Sequence, residues 1–143
     1  MLNFIMGNGT SALKINFEDI QEAIHDNNIY LINTLPADKQ SCLILNTLEP
    51  TDEVDRMNHW MKSLVSAPLI IIYGENSCDD TAGKKYLQLI QLGFKKVAIY
   101  SGGLFEWLLL QDIYGHELFP TKGSANDMLI YKGSSKKHAL SRG

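Results

Sequence analysis

Two cysteines, Cys42 and Cys78, are all the thiol chemistry in this chain of 143 residues. They are too few for a disulfide framework and stand at no metal-ligand spacing, so a reducing compartment and no bound metal are expected. Arginine is as scarce: before the terminal Arg142, Arg56 stands alone. No run approaches the roughly 18 apolar residues of a membrane span. The opening stretch M-L-N-F-I-M-G-N-G-T-S has no basic residue ahead of its apolar patch, and no internal repeat follows. The expectation is a soluble, cytoplasmic chain without a membrane span, beginning with a flexible leader over residues 1–14. Met6 to Ser11 fits a myristoylation pattern only if translation starts at Met6, and Asn8-Gly9-Thr10 is a sequon that is silent inside the cell.

The length and a 45% hydrophobic content suit one domain with its own core. Formal charge is −3, unevenly spread. The last twelve residues, K-G-S-S-K-K-H-A-L-S-R-G, hold four cations and no acid, which leaves nine cations against sixteen acids, or −7, on residues 1–131. An acidic body disfavours direct nucleic-acid binding, and the basic tail, able to touch an acidic partner, reads as a solvated terminus.

Strands and helices alternate along the chain. Asn16 with Asp19 marks a capping-box start for a helix with Phe17, Ile20 and Ile24 on one face. Ile29 to Asn33 reads as a strand, Pro36 to Lys39 as a turn, and Leu43 to Leu45 as a second short strand. Glu49-Pro50-Thr51-Asp52 opens a helix whose expected buried stripe is Val54, Met57, Met61 and Leu64. Leu69 to Tyr73 is apolar without alternation, as in a central parallel strand covered on both faces. A helix from Thr81 follows, with Ala82, Tyr86, Leu89 and Ile90 inward, and Gly93-Phe94 ends it. Val97 to Tyr100 is a further strand, Ser101-Gly102-Gly103 a turn, and Leu104 to Ile113 an apolar helix closed by Tyr114-Gly115. The pattern predicts an α/β fold with a mostly parallel, roughly five-stranded sheet flanked by helices over residues 15–115. Residues 116–143 form a C-terminal extension with a basic tail, and Met128 to Tyr131 reads as an extended latch folded back on the domain.

The segment I-I-I-Y-G-E-N-S-C-D-D joins the central strand to the next helix. Many α/β proteins place a nucleophile and an anion cradle at such a junction. Here the strand leads into Gly74, and the one thiol is Cys78. Asp79 and Asp80 beside it and Glu75 before it disfavour a thiolate and repel anions, and Asp79 or Asp80 suits the helix N-cap. His25, His59 and His116 have no metal spacing, Trp60 and Trp107 suit the core, and Ser101 has no base at readable distance.

The joined set I-I-I-Y-G, L-I-Q-L-G-F-K-K-V-A-I-Y-S-G-G-L-F-E-W resembles the rhodanese-like (sulfurtransferase) domain family. The likeness spans roughly residues 15–115 and is densest over Leu69 to Trp107. It implies a three-layer rhodanese-like domain in which the strand before the loop ends in a catalytic cysteine, its persulfide held by loop amides, with arginines completing the cradle. The cysteine position falls on Gly74. Where members carry Asp-x-Arg, this chain has Asn33-Thr34-Leu35, and their His-Ile-Pro-Gly-Ala segment corresponds to Cys42 to Asn46. In the related dual-specificity phosphatase loop, Cys-x5-Arg, the arginine would fall on Asp80.

The resemblance therefore implies a catalytically silent member serving as a protein-binding, regulatory or scaffold module. The candidate site is a degenerate loop of Gly74, Glu75, Asn76, Ser77, Cys78, Asp79, Asp80 and Thr81, with Cys78 the sole candidate nucleophile and no cofactor or metal expected. The alternative is a sulfurtransferase or persulfide carrier using Cys78 from a rebuilt loop. A weaker one is a subunit tethered into a larger assembly through residues 116–143.

Overall fold

A computed structural model describes residues 12–141 of the chain. Four parallel strands form its main sheet in the order β1 (Lys14–Ile15), β5 (Val97–Tyr100), β4 (Leu69–Tyr73), β2 (Ile29–Asn33). The unbroken apolar run of β4 lies between β5 and β2, and alternate residues enter different cores. Ile71 and Tyr73 join Leu31, Ala98 and Tyr100 on the face covered by α1 (Phe17–Ala23) and α4 (Gly103–Tyr114). Ile70 and Ile72 join Ile32, Val97 and Ile99 on the face covered by α2 (Pro50–Met61) and α3 (Thr81–Gln91). The central strand is apolar at every position because both of its faces are dry.

The predicted capping box forms: Asn16 Oδ1 accepts from the amides of Glu18 and Asp19, and Asp19 Oδ2 accepts from the Asn16 amide at 3.0 Å. α3 closes as its Gly-Phe signal predicts. Gly93 adopts φ 105°, so its amide reaches Ile90 O and the Phe94 amide reaches Leu89 O.

The sheet differs from the expectation at both edges. β1 was not foreseen and begins at Lys14, inside the expected leader, because two residues alternate too briefly to read as a strand. Residues 1–11 of that leader lie outside the described residues, while Ala12 and Leu13 pack against the cores. At the other edge the expected strand Leu43 to Leu45 does not join the main sheet, and only one bridge, between Leu31 and Thr47, lies beyond β2. β3 (Leu43–Ile44) instead pairs antiparallel with β6 (Thr121–Lys122). A buried hydroxyl anchors this arm: Tyr73 Oη accepts from the Ile44 amide at 3.1 Å and bonds Thr47 Oγ1 at 2.7 Å.

Two further corrections concern apolar residues. Val54 and Met61 of α2 face water, and the inward stripe is Met57 and Trp60 with Leu64 beyond it, since the Trp60 ring packs edge-on against Tyr30 and rotates the helix face. Met128–Tyr131 is a 3₁₀ turn, not an extended segment, with Asp127 Oδ1 accepting from the Leu129 amide. It does fold back on the domain. Tyr131 is fully buried, and with Phe119 it completes the α1/α4 core, so the chain after Gly115 is part of the domain to at least this residue. A short helix, α5 (Lys137–Ser141), follows. No helix among the described residues is long and apolar enough to cross a membrane.

Candidate functional site

The loop after β4 lies at the carboxyl end of the parallel strands, where open α/β sheets place their ligand crevice. It is pinned from three sides. The Leu104 and Phe105 amides at the start of α4 donate to the carbonyls of Gly74 and Glu75 at 3.0 and 2.8 Å. Gly103, at φ 71°, lets this contact close, for a Cβ there would lie 2.7 Å from the Asn76 nitrogen. Asn76 Nδ2 donates to Tyr131 O, while its Oδ1 accepts from the Cys78 amide.

The position above Gly74 is occupied by the loop itself. A Cβ built on Gly74 would lie 2.5 Å from Asp79 Oδ2 and 3.3 Å from Thr34 Oγ1. Asp79 Oδ2 accepts from the Glu75 amide at 3.0 Å, and its Oδ1 accepts from the Thr81 amide at 2.9 Å and the Thr81 hydroxyl at 2.8 Å. Thr34 Oγ1 bonds Thr81 Oγ1 at 2.8 Å and closes the set. Partial burial pushes the Asp79 carboxyl up, but these donors and the Lys39 charge outweigh it, so its pKa lies below the ordinary value.

Of the two expected capping residues, Asp79 supplies the bond to the first turn of α3. Asp80, at the N-cap position itself, makes no side-chain cap bond and instead pairs with Lys84 at 3.3 Å. Cys78 and Ser77 are exposed. Cys78 and the buried Cys42 are both free thiols, and burial pushes the Cys42 thiol up. His25, His59 and His116 join no group of three metal-ligating side chains among the described residues.

Cations missed in the sequence surround the loop. Lys39, from the turn after β2, binds Glu75 Oε1 at 2.8 Å and Ile130 O at 3.3 Å, and its pKa is raised by the Glu75 bond. Lys132 and Lys136 join Lys39, Cys78, Asp79 and Asp80 around a cavity of about 280 Å³. No local signal marks them: the residues after Asn33 lie beside Gly74 because β2 pairs with β4, a strand order that the sequence pattern does not specify. Mixed charge in this cavity suits neither a simple oxyanion nor a cation.

No family model matches the chain, and no curated protein matches it. Solved structures do. The BH2092 protein from Bacillus halodurans is similar at a TM-score of 0.61 and 20% identity, over 90% of this chain and 90% of that one. A full-length protein from Lactobacillus plantarum reaches 0.58 at 15% identity, over 78% of this chain and 88% of that one. The Alr3790 protein from Anabaena sp. reaches 0.55 at 21% identity, covering 81% and 84%. These likenesses show a shared fold.

Proposed function

We propose that this chain is a rhodanese-like domain without sulfur-transfer chemistry, acting as a protein-binding module. The observation that carries the reading is the Asp79 carboxylate, which takes the loop amides directly above Gly74. In an active member of the family that space would hold the cysteine side chain and its outer sulfur. A fixed carboxylate occupies the Glu75 and Thr81 amides, so these donors are not free to lower a thiol pKa or to hold a persulfide above Gly74. Leu35, where the family's arginine would stand, is buried in the core, and this supports the same reading.

Binding has a surface available. Ile113, Tyr114, Leu118, Leu129 and Ile130 are large apolar side chains, each about half exposed or more, on α4 and the segment after it. The test is a thiosulfate:cyanide sulfurtransferase assay with mass spectrometry of the thiosulfate-treated protein. No turnover and no added sulfur are expected. Turnover abolished by Cys78→Ser overturns the reading.

The second reading, a persulfide carrier using Cys78, draws on one observation: the thiol is exposed at the rim of the cavity lined by Lys39, Lys132 and Lys136. Iodoacetamide labelling against pH separates the two. A Cys78 thiol titrating well below the free value of about 8.5 favours the carrier, and one at or above it favours the silent domain. The tether reading, through residues 116–143, is testable without disturbing the buried Tyr131 by removing residues 132–143. Partner capture unchanged on deleting those residues removes it.

A further inference from the structure

A second cavity lies at the opposite end of the sheet from the Gly74 loop. Asn28 and Pro68, which directly precede β2 and β4, enclose about 400 Å³ together with the last turns of α2. Arg56, His59 and Lys62 line it, and no acidic side chain does so among the described residues. This is a basic concavity on a chain whose formal charge is −3. The volume falls in the range of small-molecule sites.

Arg56 is held by its face and offers its edge. Its guanidinium carbon lies 5.4 Å from the centroid of the Tyr30 ring, and Tyr30 packs edge-on against the buried Trp60 at 4.8 Å. A cation–π contact occupies the plane of a guanidinium and leaves the N–H fork free to donate. Among the described residues neither Arg56 nor Lys62 has a carboxylate within ion-pair distance. The carbonyl end of α2 contributes roughly half a negative charge here, which two full cations exceed. Asn28 and Ser63 add neutral hydrogen-bonding groups to the wall.

We propose that this cavity binds a small phosphate monoester, such as a nucleoside or sugar monophosphate. Arg56 and Lys62 take the phosphate, a fork and a point charge on a dianion, and Asn28 and Ser63 meet the polar remainder. The proposal is independent of the reading of the Gly74 loop, which lies at the other pole of the sheet.

Calorimetric titration of the full chain at low salt tests it, using adenosine 5′-monophosphate, glucose 6-phosphate, inorganic phosphate, adenosine and a phosphoserine peptide. At least one monoester is expected to bind with a Kd below about 1 mM. Arg56→Gln and Lys62→Gln should each weaken it by about fivefold or more, with Lys84→Gln, which sits beside Asp80 at the other pole of the sheet, as the control. Both positions are exposed, so the variants should melt with the wild type. The proposal is overturned if no monoester binds, if inorganic phosphate or adenosine binds as tightly, if the peptide binds more tightly, or if the double variant keeps the wild-type Kd.

Discussion

Asp79 is the residue that fills the space above Gly74, and substitutions separate its steric effect from that of its charge. Gly74→Cys places a Cβ 2.5 Å from Asp79 Oδ2, so it should lower stability by about 1–3 kcal/mol in urea melts. Adding Asp79→Ser removes the obstructing carboxylate together with its bonds, so the double variant should lose less than the sum of the two single losses. Asp79→Asn keeps the shape but weakens the charge-assisted bonds to the Glu75 and Thr81 amides, at a cost of about 1 kcal/mol. Because the folded-state pKa of Asp79 is lowered, its charge stabilises the fold above the unfolded carboxylate value of about 3.9 and ceases to as pH falls through the folded value. The stability gap between wild type and Asp79→Asn should therefore be constant near neutrality and close in acid. A gap that persists once pH has fallen below the folded value of Asp79 would show that the charge is not the cause.

Among the elements, the β3–β6 arm is the part whose attachment depends on one side chain. Tyr73→Phe leaves the Ile44 amide without its buried acceptor, while Thr47 Oγ1 keeps its bond to Ile44 O. A loss of about 1–3 kcal/mol is expected, read as a lower urea midpoint with an unchanged slope. α1, α3 and α4 were legible because their caps and apolar spacing agree with the burial the fold imposes: Asn16, Gly93 and Gly115 act locally, and local signals survive in any context. α2 was legible as a helix but not in its face. Met57 and Trp60 rather than Val54 and Met61 turn inward because an aromatic pair with Tyr30, from a strand seventeen or more residues earlier in the chain, decides the rotation. Periodicity offers several nearly equivalent stripes, and the partner surface chooses one.

For the whole molecule, the boundary of the domain is the quantity to measure. Deleting residues 132–143 should leave a cooperative unfolding transition within about 0.5 kcal/mol of the full chain, because the described part of that segment is largely exposed. Deleting residues 116–143 removes Phe119 and Tyr131 from the core and β6 from β3, at a cost of several large aromatic contacts, each about 3–5 kcal/mol. Loss of the cooperative transition is expected, and a stable 1–115 fragment would restore the earlier domain boundary. The order of strands and helices, the covered central strand and the absence of a nucleophile at Gly74 were determined by the sequence alone, since each depends on residue identity and local period. Which residues converge on the loop was decided only by tertiary structure. Lys39, Thr34 and Tyr131 lie 35 or more residues from Gly74 in the chain, and no local preference records that β2 ends beside β4 or that the last 3₁₀ turn folds over both. The same holds for Asp79: its acidity was legible, but its place above Gly74 depends on a loop closed by α4 amides and on Thr34 from a neighbouring strand.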